Sequence, residues 1–143
     1  MPVKRKINVV LDANWFVSAC ISRNSRRTVY YKILRNDRLR AYYSSELVEE
    51  FRGVISRRKF AKKITMAQVN RFQSLAQLFM RHIDGLPVTG VVRDKNDDYL
   101  LGVCKACHAD FLITGDDDLL IVGTFEQTTI LSMGQFLQIL PLL

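Results

Sequence analysis

Acidic side chains recur in this chain where an apolar strand should end or a helix should begin. Asp12 directly follows the apolar run Ile7–Leu11. Asp94-Lys95-Asn96-Asp97-Asp98 precedes an apolar stretch of helical spacing, and Asp116-Asp117-Asp118 follows the apolar run Phe111-Leu112-Ile113. Glu46, Glu49 and Glu50 sit in a further segment of helical spacing. Carboxylates gathered in one place cannot all stay ionised unless a cation offsets them. An all-oxygen set suits hard ions, Mg²⁺ or Mn²⁺. Such ions activate water and clamp a phosphoryl oxygen. The chemistry this pattern points to is metal-dependent cleavage of a phosphodiester.

Helical geometry sorts the candidates. At roughly 100° per residue, Leu47, Val48, Phe51, Val54 and Ile55 fall on one apolar stripe. Glu49 lies nearly opposite and is expected in solvent, Glu46 lies well off the stripe, and Glu50 lies beside it, within reach of a cleft. On the later helix the stripe is Leu100, Cys104 and Cys107. The same wheel puts Asp97 on the stripe side and Asp98 on the far side. A plain structural role competes at each position. Asp12 could cap a helix starting at Asn14, Glu50 could make an edge ion pair, Asp97 or Asn96 could cap the later helix, and residues 116–118 could be an acidic turn.

The elements that must position these groups follow from periodicity and from start and stop signals. Strands are predicted at Ile7–Leu11, Leu39–Tyr43, 88–92, 111–114 and Thr128–Leu131. Helices are predicted over 28–36, from Ser44 or Ser45 to about Ile55, from Thr65 through Ile83, over 97–108, and after Ser132. Thr65-x-x-Gln68 and Ser132-x-x-Gln135 both have the form of a capping box. Alternating strands and helices argue for an α/β fold with a mainly parallel sheet, whose ligand sites lie beyond the carboxyl ends of the strands.

The chain has 143 residues, 48% hydrophobic and 24% charged, which fits one globular domain over 1–143 rather than a disordered chain. No apolar run approaches the roughly 20 residues of a membrane span. The apolar stretch Val9-Val10-Leu11 stops at Asp12, too short for a secretory signal core, so a cytoplasmic location is expected. Charge is unevenly spread. Residues 1–63 hold 16 basic and 5 acidic side chains, a net of +11, against −4 for residues 64–143. Clusters at Arg23, Arg26, Arg27 and at Arg57, Arg58, Lys59, Lys62, Lys63 suit a polyanion such as nucleic acid.

Two competing signals are weaker. Cys104-Lys105-Ala106-Cys107-His108 has the form of a c-type haem attachment motif. It lies in a helix expected to face the core, where both thiols read as small buried apolar groups, and a zinc site there lacks a nearby fourth ligand. Three cysteines make a poor disulfide framework, and structural roles are expected for His82 and His108. A phosphotransferase using Asp12 as nucleophile would place a second Asp where Asn14 stands.

The residues as a set resemble the PIN-domain family, in its branch of toxins from toxin–antitoxin systems, over about residues 7–140. Leu11-Asp12-Ala13-Asn14-Trp15-Phe16-Val17-Ser18 resembles that family's D-T-N-x-x-x-S start. Ser45-Glu46-Leu47-Val48-Glu49-Glu50-Phe51, followed by Arg57-Arg58-Lys59-Phe60, resembles its second segment, with Glu50 as the acid. Asp94-Lys95-Asn96-Asp97-Asp98 resembles D-P-x-D-D, with Asp97 as ligand. Thr114-Gly115-Asp116-Asp117-Asp118-Leu119 is similar to T-G-D-x-D-L, with Asp116 as ligand and Asp118 as helper. Ala13 and Lys95 depart from the pattern without removing an acid.

The resemblance implies a three-layer α/β/α sandwich and Mg²⁺- or Mn²⁺-dependent endoribonuclease activity. Asp12, Glu50, Asp97 and Asp116 would be the catalytic metal ligands, with Asp98 and Asp118 as further candidates. Asn14, Thr114 and Asp118 would orient carboxylates or waters. Arg23, Arg26, Arg27, Arg57, Arg58 and Lys59 would hold RNA phosphates, and some of Tyr30, Tyr31, Tyr42 and Tyr43 would stack on bases. It further implies an antitoxin whose tail blocks the acidic cleft, and a homodimer. The alternative on the same fold is a module that binds RNA or a partner without cutting.

Overall fold

A computed structural model describes residues 5–57 and 64–143. β1 (Ile7–Leu11) runs into α1 (Ala13–Ile21), α2 (Arg23–Arg27) and a π-helical segment at Thr28–Leu34. β2 (Leu39–Tyr43), α3 (Ser45–Arg57), α4 (Met66–Leu78) and β3 (Met80–His82) follow. After a long crossover come a 3-10 turn at Lys95–Asp97, α5 (Asp98–Cys107), β4 (Phe111–Ile113) and α6 (Asp117–Val122). The chain closes with β5 (Thr124–Phe125), β6 (Thr128–Leu131), α7 (Met133–Ile139) and a 3-10 turn at Leu140–Leu142.

The six strands form one sheet in the order β3-β2-β1-β4-β6-β5, parallel except for β5 against β6. β1 sits in the middle, with Val9 opposite both Ala41 and Phe111. Val9, Val10 and Leu11 are all essentially inaccessible to solvent. Burial on both faces explains why this strand reads as an unbroken apolar run rather than an alternation. The chain moves from β1 to β2 to β3 in one direction, then returns across β2 and β1 to reach β4. Right-handed crossovers then put α5 on the face opposite α1, α3 and α4, which makes the three layers.

On the first face Phe16 meets Phe51 edge-on and Phe72 at a tilt, both with ring centroids 6.3 Å apart, tying α1, α3 and α4 together. On α5, Leu100, Leu101, Val103 and Cys104 are buried against the sheet, and Cys107 is buried with them. Burial pushes the Cys107 thiol up to about 12 and Cys104 higher still, so both behave as small apolar groups. His108 supplies the left-handed cap of α5 at φ 50°. His82 packs edge-on against Tyr43 and shares a hydrogen bond with Ser45 Oγ.

The capping boxes at Thr65/Gln68 and Ser132/Gln135 start α4 and α7 as expected. Two element assignments are corrected. The helix from Thr65 stops at Leu78, and Met80–His82 is a strand paired to Ala41–Tyr43. Met80 and Ile83 fit the helical period, but the open edge of β2 offers them a ladder instead. The strand predicted at 88–92 is a loop. Its Gly90 and Val92 amides donate to the Asp98 carboxylate at 3.1 and 2.9 Å, which satisfies the donors a neighbouring strand would have taken. The two-residue strand β5 and the helix α6 carried no clear periodicity.

The crossover is pressed onto α5 at Gly102. Leu86 N donates to Gly102 O at 3.0 Å, and a Cβ on Gly102 would collide with the Leu86 carbonyl. Gly102→Ala should therefore lower stability by about 1–3 kcal/mol, a cost typical of overpacking. Gly134→Ala, in α7 with no close neighbour, should be neutral or stabilising. Thermal unfolding of both variants checks the contrast.

Candidate metal centre

The strand order decides where a ligand can bind. The chain leaves β1 toward one edge of the sheet and leaves β4 toward the other, so a crevice opens beyond the carboxyl ends of these adjacent strands. Asp12 is the first residue after β1, and Thr114 the first after β4. Asp12 N donates to Ile113 O at 3.0 Å, and Thr114 N to Leu131 O at 3.0 Å, so the ladder carries on into the loops.

Asp12 is 4% exposed. Its Oδ1 accepts from the Asn14 amide at 3.2 Å and caps α1, while its Oδ2 accepts from Thr114 Oγ1 at 2.6 Å. Thr114 Oγ1 in turn accepts from Asp116 N at 3.0 Å, and Asp116 Oδ1 accepts from Asp118 N at 2.9 Å and caps α6. Capping and a site role are therefore compatible. A carboxylate has about four lone-pair sites, and each cap uses one. Burial pushes the Asp12 carboxyl up, the hydrogen bonds from Thr114 and Asn14 pull it back, and the Asp116 charge raises it again.

Asp97 ends the 3-10 turn and makes no capping bond. Asp94 performs that duty, accepting from the Asn96 amide at 3.0 Å. Asp97 is left close enough to Asp116 for the two carboxyl groups to influence each other. Burial, the bond to Asp116 and the charges of Asp116, Asp94 and Asp12 push Asp97 up to about 7. Glu50 is half-buried on α3, whereas Glu46 and Glu49 are exposed. Tyr99, in the first turn of α5, lies near enough to Glu50, Asp12 and Asp97 to feel all three. Its Oη is buried without a hydrogen-bond partner. Burial, then Glu50, then the charges of Asp12 and Asp97 push its phenol up.

The structure thus links Asp12 to Asp116 through Thr114 and places Asp97 within range of both charges, with Glu50 half-buried nearby. Asp98 does not join them. The wheel placed it on the far side of α5, yet it is buried and its two oxygens hold the 90–92 loop. A crossover folding back over the helix start, invisible to a wheel, covers that side. Asp118 is taken by Arg93, whose Nε and Nη2 donate to its two oxygens at 3.0 and 3.3 Å. Asn14 reaches Asp12 through its backbone, and its side chain is exposed. Sequence reasoning missed Tyr99 and Arg93. The signal available was adjacency, since each lies immediately outside the 94–98 acidic run.

The basic residues stand apart from the acids. Arg23, Arg26 and Arg27 lie exposed on α2, beyond the far end of α1, a helix of nine residues and so about 14 Å long. Arg57 bonds Gly53 O at the far end of α3. Arg58, Lys59, Lys62 and Lys63 lie outside the described residues. Tyr31 is exposed under the Arg27 guanidinium, Tyr30 packs on Phe79, and Tyr42 and Tyr43 lean on the core.

Among the described residues, no three His, Cys, Asp or Glu side chains already form a ready metal cage. The donor set nevertheless fits a hard cation. It is all oxygen, it crowds like charges, and its Asp97–Asp116 contact is one a cation would relieve.

A family model described as PIN domain matches residues 8–118. The chain belongs to the PIN-domain family. No curated protein sequence matches it. Among solved structures it is similar to a chain of VapBC2 from Rickettsia felis, in a complex bound to a DNA fragment from their promoter. The TM-score is 0.57 at 14% identity, over 87% of this chain and 97% of that one. At that identity the likeness is one of fold, and the six-stranded, mostly parallel sheet between helices is the PIN-like α/β arrangement.

The raised Asp97 makes stability depend on pH. Its folded pKa, about 7, exceeds the ordinary carboxyl value, so the native state binds the extra proton. The stabilising share is full below about pH 4 and is lost as pH rises through 7. In chelator, the melting temperature of the wild type should fall across that window more steeply than that of Asp97→Asn. Millimolar Mn²⁺ should raise the wild-type value most at the alkaline end. Melting curves with and without metal measure both effects.

Proposed function

We propose that this PIN-domain protein is a Mg²⁺- or Mn²⁺-dependent endoribonuclease and the toxin of a toxin–antitoxin pair. The observation that supports the reading is the chain Asp12–Thr114–Asp116 beyond the ends of β1 and β4, with Asp97 close enough to feel both acids. PIN domains are generally nucleases, and this acidic group is the chemistry such a domain needs.

Asp12, Glu50, Asp97 and Asp116 would hold the cation, which when bound supplies Lewis-acid activation of water and of the phosphoryl group. Thr114 fixes the Asp12 carboxylate through its hydroxyl and the Asp116 backbone through its Oγ1 lone pair, an outer-shell role that keeps both acids oriented. Burial and its acidic neighbours push the Asp97 carboxyl up, so a proton and a cation would compete for it. The exposed arginines of α2 and Arg57 would hold more distant phosphates along the strand. Among the described residues no helix is long and apolar enough to cross a membrane. We extend an antitoxin partner to this chain from the VapBC2 complex in which a chain of similar fold is found, and a cytoplasmic site of action and a homodimer from the resemblance to the toxin branch of the family alone.

Purified protein should cut labelled single-stranded or structured RNA with Mn²⁺ or Mg²⁺ and stop in chelator. Asp12→Asn and Asp116→Asn should abolish cutting, which excludes a contaminating nuclease. Thr114→Val should weaken metal affinity or activity by about 10–100-fold, as loss of an outer-shell partner does. Intact RNA binding without any cutting would replace the nuclease with the binding module.

A further inference from the structure

A polyanion must approach a cleft built of carboxylates, and the clustered arginines lie a helix length away. Among the described residues, Arg93 is the cation paired with a carboxylate of the 114–118 loop. It reaches Asp118 from the end of the crossover, one residue before Asp94, and it also feels the charges of Asp94 and Asp116. Asp118 in turn donates its backbone amide to Asp116. Arg93 therefore stands at the rim of the acidic group, one residue removed from its centre.

Two features of this pair point to a ligand. The Arg93 side chain is 86% exposed, and an ion pair so open to water is screened and contributes little to stability. It is too weak to account for a structural duty and cheap to exchange. Its geometry is a two-point fork, Nε and Nη2 each on one oxygen. A guanidinium fork of this shape fits a phosphate as it fits a carboxylate. Asp118 presents the guanidinium edge-on beside the cleft, where a backbone phosphate could replace it.

We propose that Arg93 is the residue that grips the RNA backbone phosphate at the cleft, and that Asp118 occupies the guanidinium until RNA displaces it. This rests on the nuclease reading above and adds to it a substrate contact. The grip reads the backbone and not the base, so it is indifferent to sequence.

The test is RNA binding by fluorescence anisotropy against salt, using labelled single-stranded RNA of two unrelated sequences. It is run in the cut-deficient Asp12→Asn protein with Mg²⁺ and again in the otherwise wild-type protein in chelator. Arg93→Gln should weaken binding to both sequences equally and flatten the log–log salt slope by about 0.7, the value of one lost phosphate contact on a single strand. Arg93→Lys should restore the slope but only part of the affinity, because it keeps the charge and loses the fork. Asp118→Asn should keep the full slope and bind at least as tightly, because it breaks the same ion pair yet leaves Arg93 free. A purely structural pair predicts the opposite, with Arg93→Gln and Asp118→Asn behaving alike. An unchanged slope in Arg93→Gln, or equal losses in the two variants, overturns the proposal while cutting by the wild type keeps the nuclease reading. Absence of RNA binding and of cutting in the parent proteins overturns both.

Discussion

The buried carboxylate of Asp12 is the constraint around which this molecule is arranged. It sits at the end of the most deeply buried strand, where water is almost excluded, and an unsatisfied charge there would be costly. Two neighbours meet that demand, and the backbone at Asp12 holds the strand beside them. The Asn14 amide takes one oxygen and starts α1, Thr114 Oγ1 takes the other, and the Asp12 amide continues the β1–β4 ladder. The group that a metal would need is thus also the group that joins the first helix to the centre of the sheet. Thr114 is buried for the same reason, and through it the Asp116 loop is hung from Asp12.

Delivering a third carboxylate to this point falls to the crossover between β3 and α5. The segment has little regular structure, and it is held by contacts to α5 itself. Gly102 lets the Leu86 backbone lie against the helix, and Asp98 ties down the Gly90 and Val92 amides. Asp94 then caps the short turn that ends at Asp97. Each of two adjacent acids has a different duty as a result. Asp98 turns back to hold the loop, and Asp97 is released toward Asp116. Burial, and the crowding that follows, push the Asp97 carboxyl up. A site that prefers a proton when empty will accept a cation in its place, and this links the local electrostatics to the metal-dependent chemistry proposed for it.

Charge is organised on a second, longer scale. The acids collect at the ends of β1 and β4, while the described basic clusters lie at the far ends of α1 and α3. A strand of nucleic acid would be drawn by the outlying arginines and repelled by the carboxylates of the cleft, so a cation at the centre and a guanidinium at its rim act in the same sense. Arg93 occupies the rim because the crossover ends there, next to the acids it neutralises.

The sequence by itself determined the elements whose signals are local. The buried run Ile7–Leu11, the strands Leu39–Tyr43 and Thr128–Leu131, and the two capping boxes needed only neighbouring residues to define them. It also placed Glu50 nearer the apolar stripe than Glu49, and the structure has Glu50 half-buried and Glu49 exposed. The tertiary structure decided whatever depended on a partner distant in the chain. Met80–His82 became a strand because β2 had a free edge, and residues 88–92 did not because Asp98 satisfied their amides. Asp98 is buried because the crossover folds over it, and Arg93 and Tyr99 joined the site because that crossover places them against Asp118 and Glu50. Periodicity records how a residue relates to its own helix or strand, whereas hydrogen bonding and burial at a site depend on which segments meet there.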